Sequence, residues 1–160
     1  MSEMKSLFSL SLILFFMGSV AVAKMPKPFT DDGKFIGGYD PVSYIKVNKA
    51  VKGSKQFQSN YQGVTVHFSS QENKQAFDKD PAKWVPAYGG YCAYAMARSG
   101  DLVDIDPKSF KVVDGKTYLF YNGFWADTLK KWNAEKKKDG QVDDRGQIQK
   151  ADALWKKKHQ

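Results

Sequence analysis

The sequence predicts an α+β fold, a small single domain of antiparallel β-hairpins with packed helices and two C-terminal amphipathic helices. Three observations carry that prediction. Strand-like segments come in adjacent pairs, Val51 to Phe57 with Val64 to Phe68, and Phe110 to Val113 with Lys116 to Tyr121. Helix-start signals follow the first pair, and apolar stripes at helical spacing follow the second. The 160-residue length suits one domain, and a single cysteine, Cys92, excludes an internal disulfide framework. Eleven Phe, eight Tyr and four Trp must then supply much of the packing.

The first residues read as a targeting signal. Lys5 precedes an apolar run from Leu7 to Val22 that ends in Ala21-Val22-Ala23. A basic start, a compact apolar stretch and a small-x-small site describe a cleavable secretory signal over residues 1–23, with Lys24 as the mature N-terminus. The run is shorter than the ~20 residues that span a bilayer, which argues against a retained anchor. The expected location is therefore exported, periplasmic or secreted. Residues 24–38, rich in Pro, Gly and charge, read as a lead-in segment, and the domain proper is expected from Tyr39 to Lys157.

In the first hairpin the turn falls on Ser59-Asn60-Tyr61-Gln62-Gly63. Val64, Val66 and Phe68 share one face of its second strand, with Thr65 and His67 on the other. Ser69 and Glu72 have capping-box spacing, so a helix is expected from there to about Asp78. Asp80-Pro81 supplies a cap and a first helical residue for a short turn ending near Trp84. Gly89-Gly90 breaks the chain, and "YCAYAMARS" before Gly100 reads as helix, with a strand as the competing reading. Asp114-Gly115 is a two-residue turn signal for the second hairpin. Of the two closing helices, Trp125, Leu129 and Trp132 stripe the first, and Ile148, Ala151 and Trp155 the second. Gly140 lies between them, and Asp143 or Asp144 caps the second.

The formal net charge is +8, concentrated at Lys130-Lys131, Lys136-Lys137-Lys138 and Lys156-Lys157-Lys158. A solvated helix face and a tail explain most of it; the sharper reading is weak attraction to an anionic membrane surface. No recognition motif accompanies the charge, so nucleic acid is not an expected partner. Phosphate loops, His-Glu-x-x-His and nucleophile elbows are missing from the sequence, and no second acid–base partner is identifiable. The chain does not read as an enzyme.

Two residues stand out as candidate ligands. His67 precedes a helix start on the strand face opposite the Val/Phe stripe; a lone strand histidine is more often structural. Cys92, in a first helical turn, would meet the positive end of the helix dipole, with Met96 four residues on over the same face. Thiol, thioether and a nearby imidazole make a soft set suited to Cu(I). Free Cys and Met are also common core residues, and on the residues alone that reading leads.

The stretch "YDPVSYI", then "GVTVHFSSQENKQAFDKDPAKWVPAYGG", resembles the YHS domain family. With "GGYCAYAMA", "VVDGKTYLFYN" and "ADALW" the resemblance extends over roughly residues 35 to 156 and is similar to a secreted branch of that family. Cysteine-bearing relatives are associated with copper and other soft metals, which implies copper as the cofactor and Cys92, His67 and Met96 as the metal ligands. The relatives' own thiols, however, fall at positions occupied here by Ser43, Ser69 and Asn73. The resemblance thus implies an exported soft-metal-binding or metal-sensing module. Two alternatives stay open: a non-metal module that binds a small ligand or a protein, and a thiol-reactive module using Cys92.

Overall fold

The computed structural model describes residues 25–160. The expected signal segment and the cleavage before Lys24 lie outside the described residues. Strands β1 (Thr30–Asp31), β2 (Lys34–Phe35), β3 (Ser54–Tyr61) and β4 (Val64–Phe68) form one sheet in the order β1-β2-β4-β3. Its pairings are antiparallel except where Lys34 of β2 meets Thr65 of β4. A second hairpin joins β5 (Asp106–Val113) to β6 (Lys116–Phe120), and a third, short one joins β7 (Asn122–Gly123) to β8 (Ala126–Asp127). The helices are α1 (Pro41–Val47), α2 (Gln71–Lys79), α3 (Pro81–Trp84), α4 (Ala93–Arg98), α5 (Thr128–Ala134) and α6 (Asp144–His159). The architecture is the α+β single domain expected. Among the described residues no helix is long and apolar enough to cross a membrane.

Strand β6 divides the interior because its side chains alternate. Leu119 faces a cluster built from the first sheet and its helices, with Phe35, Ile36, Val66, Phe68 and Phe77. Tyr118 and Phe120 face a second cluster with Tyr88, Met96, Trp132 and Ala151, which α4, α5 and α6 enclose. The residues read as a lead-in belong to this construction: Phe29, Phe35 and Ile36 are core, and Phe29 N–H donates to the Gly89 carbonyl at 2.8 Å.

Local chemistry explains the element ends. The second hairpin turns on Asp114 (φ 49°) and Gly115 (φ 75°), both left-handed, which matches the strand twist. Asp80 and Asp143 cap α3 and α6 by accepting the Lys83 and Gly146 N–H groups. The α2 cap departs from expectation: Ser70 accepts the Asn73 N–H, and Ser69 is drawn away to Asp40. A larger departure concerns Trp125. Asp127 accepts the Lys130 N–H and starts α5 there, so Trp125 sits in the β7–β8 turn and is 84% exposed, while Trp132 is fully buried.

Candidate functional site

Strand β4 positions His67. Val64, Val66 and Phe68 commit one face to the core, so His67 points to the other and lines a cleft of about 330 Å³. Lys34 comes to this cleft from β2, Lys55 from β3 and Lys52 from the segment before β3; Asp31, Asp32, Gly37 and Gly53 complete the lining. Lys34 pairs with Asp32 at the rim. Lys52 donates to the Gly37 carbonyl at 2.7 Å, with its Nζ 4.4 Å from the centre of the Tyr39 ring. Gly53 is required by close approach: a Cβ there would stand 2.5 Å from the His67 carbonyl carbon. Burial, and then the positive charges of Lys34, Lys55 and Lys52, hold the His67 imidazole below its ordinary value of 6.5. The charges that act most on the ring are thus all cationic. Such a field repels a metal ion and attracts an anion.

Cys92 lies elsewhere. It is the N-cap of α4 and forms an isolated bridge to Leu119 of β6. The thiol is fully buried. The Tyr121 N–H donates to Sγ at 3.4 Å, and Sγ is 3.5 Å from Thr128 Oγ1. The Thr128 hydroxyl already donates to the Tyr121 carbonyl at 2.7 Å, so Sγ–H is left as the donor to Oγ1. The protein itself therefore satisfies the thiol. Met96 follows four residues on, fully buried in the second cluster. The structure thus brings Cys92 and Met96 onto one buried turn, but His67 opens on a different, lysine-lined cleft. The accessible thiol that a Cys92-reactive module needs is not what the fold provides. Nor is the neighbouring Gly-Gly a ligand device: Gly90 has φ 92°, and a Cβ there would stand 2.9 Å from Ile36 Cγ2.

A third cluster was legible only as separate residues. Asp40 is fully buried at the N-cap of α1, and its Oδ1 accepts the Val42 N–H at 2.9 Å. Its Oδ2 accepts three donors: Ser69 N–H at 2.9 Å, Ser69 Oγ–H at 2.6 Å and Asn73 Nδ2–H at 2.7 Å. Ser43 Oγ lies 2.7 Å from the Asp40 carbonyl oxygen. The three positions where the resemblance places thiols therefore do converge. Here Ser69 and Asn73 hold the Asp40 carboxylate with hydrogen bonds, and Ser43 bonds backbone carbonyls instead. The Asp40-Pro41 pair is the same signal as Asp80-Pro81, and applying it at both places would have found this helix start.

The YHS domain family model matches residues 40–88. The match runs from the Asp40 hub through His67 to Tyr88, and the family it describes is one associated with metal binding. Cys92 and Met96 lie beyond the match. No curated protein and no solved structure matches the chain at a level that supports a comparison.

The residues present do not fit a soft metal at the family position. Hydroxyls and an amide replace thiols around Asp40; Ser69 and Asn73 donate to its carboxylate, and Ser43 bonds backbone carbonyls. Among the described residues no three His, Cys, Asp or Glu side chains are grouped so as to hold a metal ion.

Proposed function

We propose that the chain is an exported, non-catalytic binding module that uses the YHS fold to hold a small anionic ligand in the His67 cleft. The observation that carries this reading is the convergence of Lys34, Lys52, Lys55 and His67 on one cleft from separate segments. Phosphate and carboxylate share the chemistry required: anionic oxygens that accept from ammonium groups and from an imidazole N–H. Asp31 and Asp32 temper the charge, so the cleft discriminates by placement of donors rather than by bulk field.

A second reading keeps the metal and makes it copper. It rests on Cys92 and Met96 standing four residues apart on one buried turn, a soft donor pair suited to Cu(I). His67 has no part in it, because the lysines around the imidazole oppose a cation.

One experiment with two arms separates the readings. Isothermal titration of the exported protein with inorganic phosphate should show binding that tightens as pH falls and His67 gains its proton. Lys55→Gln and His67→Ala should each weaken it about tenfold, the worth of one charge-assisted hydrogen bond. Competition against a Cu(I) chelator should give the same result for wild type and Cys92→Ser. Phosphate binding that is missing, or indifferent to both cleft substitutions, contradicts the anion reading. Copper binding abolished by Cys92→Ser establishes the second.

A further inference from the structure

Phe124 and Trp125 are 92% and 84% exposed, well beyond any other large apolar side chain among the described residues. They occupy the turn between β7 and β8, packed on each other edge-to-face with ring centres 5.0 Å apart. The base beneath them is firm. Gly123 packs so closely on Tyr121 that a Cβ would stand 2.5 Å from its hydroxyl oxygen. Thr128 donates to the Tyr121 carbonyl through both its N–H and its hydroxyl, and Asp127 caps α5. Two adjacent aromatic rings are thus held outward on a fixed support, where water would favour burying them.

The chain that follows is basic. Lys130, Lys131, Lys136, Lys137 and Lys138 are all exposed. Of the acidic residues near them, Asp127 caps α5, Glu135 pairs with Arg98 and Asp139 accepts the Gln141 N–H. The shape of the feature selects its occupant. A protruding pair of rings offers far less than the ~800 Å² per partner of a stable protein interface. Aromatic rings that enter at headgroup depth, flanked by lysines facing anionic phosphates, are what an interfacial membrane anchor requires.

We infer that the Phe124–Trp125 hairpin tip docks this chain on an anionic lipid surface, with the lysines of 130–138 supplying the charge complement. Co-sedimentation of the exported protein, with the N-terminus that processing leaves, tests this directly. Wild type should sediment with vesicles containing phosphatidylglycerol and stay in solution with pure phosphatidylcholine. Added salt should release it, because the lysine contribution is screened. The double variant Phe124→Ser/Trp125→Ser should bind the anionic vesicles at least about tenfold more weakly. Its far-UV dichroism and denaturation midpoint should be unchanged, since neither ring packs into the core. Replacing Lys136, Lys137 and Lys138 together by Gln should also weaken binding. Failure of wild type to sediment with anionic vesicles overturns the proposal and leaves a protein surface as the occupant. Equal binding by the double Ser variant overturns it as well, because charge alone would then suffice.

Discussion

Asp40→Ala should destabilise the fold by ~3–5 kcal/mol, the sum of several buried donors losing their acceptor. The carboxylate takes Val42 N–H on one oxygen and Ser69 N–H, Ser69 Oγ–H and Asn73 Nδ2–H on the other. These bonds tie the start of α1 to the β4–α2 junction, so their loss separates two elements rather than loosening one. Asp40→Asn conserves volume and is the sharper variant. Whichever way the new amide turns, one of its ends presents hydrogens to donors that need an acceptor. It should cost at least ~2 kcal/mol in urea denaturation, and a neutral Asp40→Asn would show that the cluster acts by packing alone.

Trp132→Ala should cost a similar ~3–5 kcal/mol, this time by opening a cavity. The indole is fully buried, stacks on Tyr118 with centres 6.4 Å apart and meets Phe120 edge-on at 5.3 Å. Its Nε1–H donates to Asp144 Oδ1 at 2.6 Å, an oxygen that also receives Lys111 Nζ at 2.7 Å. Trp132 therefore locks α5 to the first turn of α6 and to β5. Trp125→Ala, seven residues earlier on the same expected stripe, should change stability by no more than ~0.5 kcal/mol. Equal losses in the two variants would place Trp125 in the core and contradict the hairpin-tip geometry.

That contrast shows where sequence reasoning works and where it stops. Trp125, Leu129 and Trp132 fit a helical stripe, but periodicity carries no information about where the first helical hydrogen bond forms. Asp127, as a cap, decides it, and a cap at that position excludes Trp125. Asp114-Gly115, Asp80-Pro81 and the Val64-Val66-Phe68 stripe were readable because each acts within a few residues. The strand face of His67 and the four-residue spacing of Cys92 and Met96 were readable for the same reason. The Asp40 hub and the lysine cleft were not, because they join positions 40, 69 and 73, and 34, 52, 55 and 67. No local rule links residues that only tertiary folding brings together. The single cysteine is conspicuous by its rarity, and its thiol is buried with two weak hydrogen bonds.

The pH behaviour of His67 carries the central claim. In the folded chain its imidazole titrates below 6.5, first through burial and then through the lysines. The unfolded chain therefore binds more protons as pH falls through that range. At this group the fold is stabilised at and above neutral pH and loses that contribution on acidification. A bound anion reverses the local field and stabilises the imidazolium, so ligand and proton should bind cooperatively. The direct measurement is an NMR titration of the His67 imidazole with and without saturating inorganic phosphate, His67→Ala assigning its signal. The account predicts a His67 midpoint below the ordinary value in the free protein. Phosphate should move it upward. A His67 midpoint that phosphate leaves unmoved would contradict an anion site at this cleft.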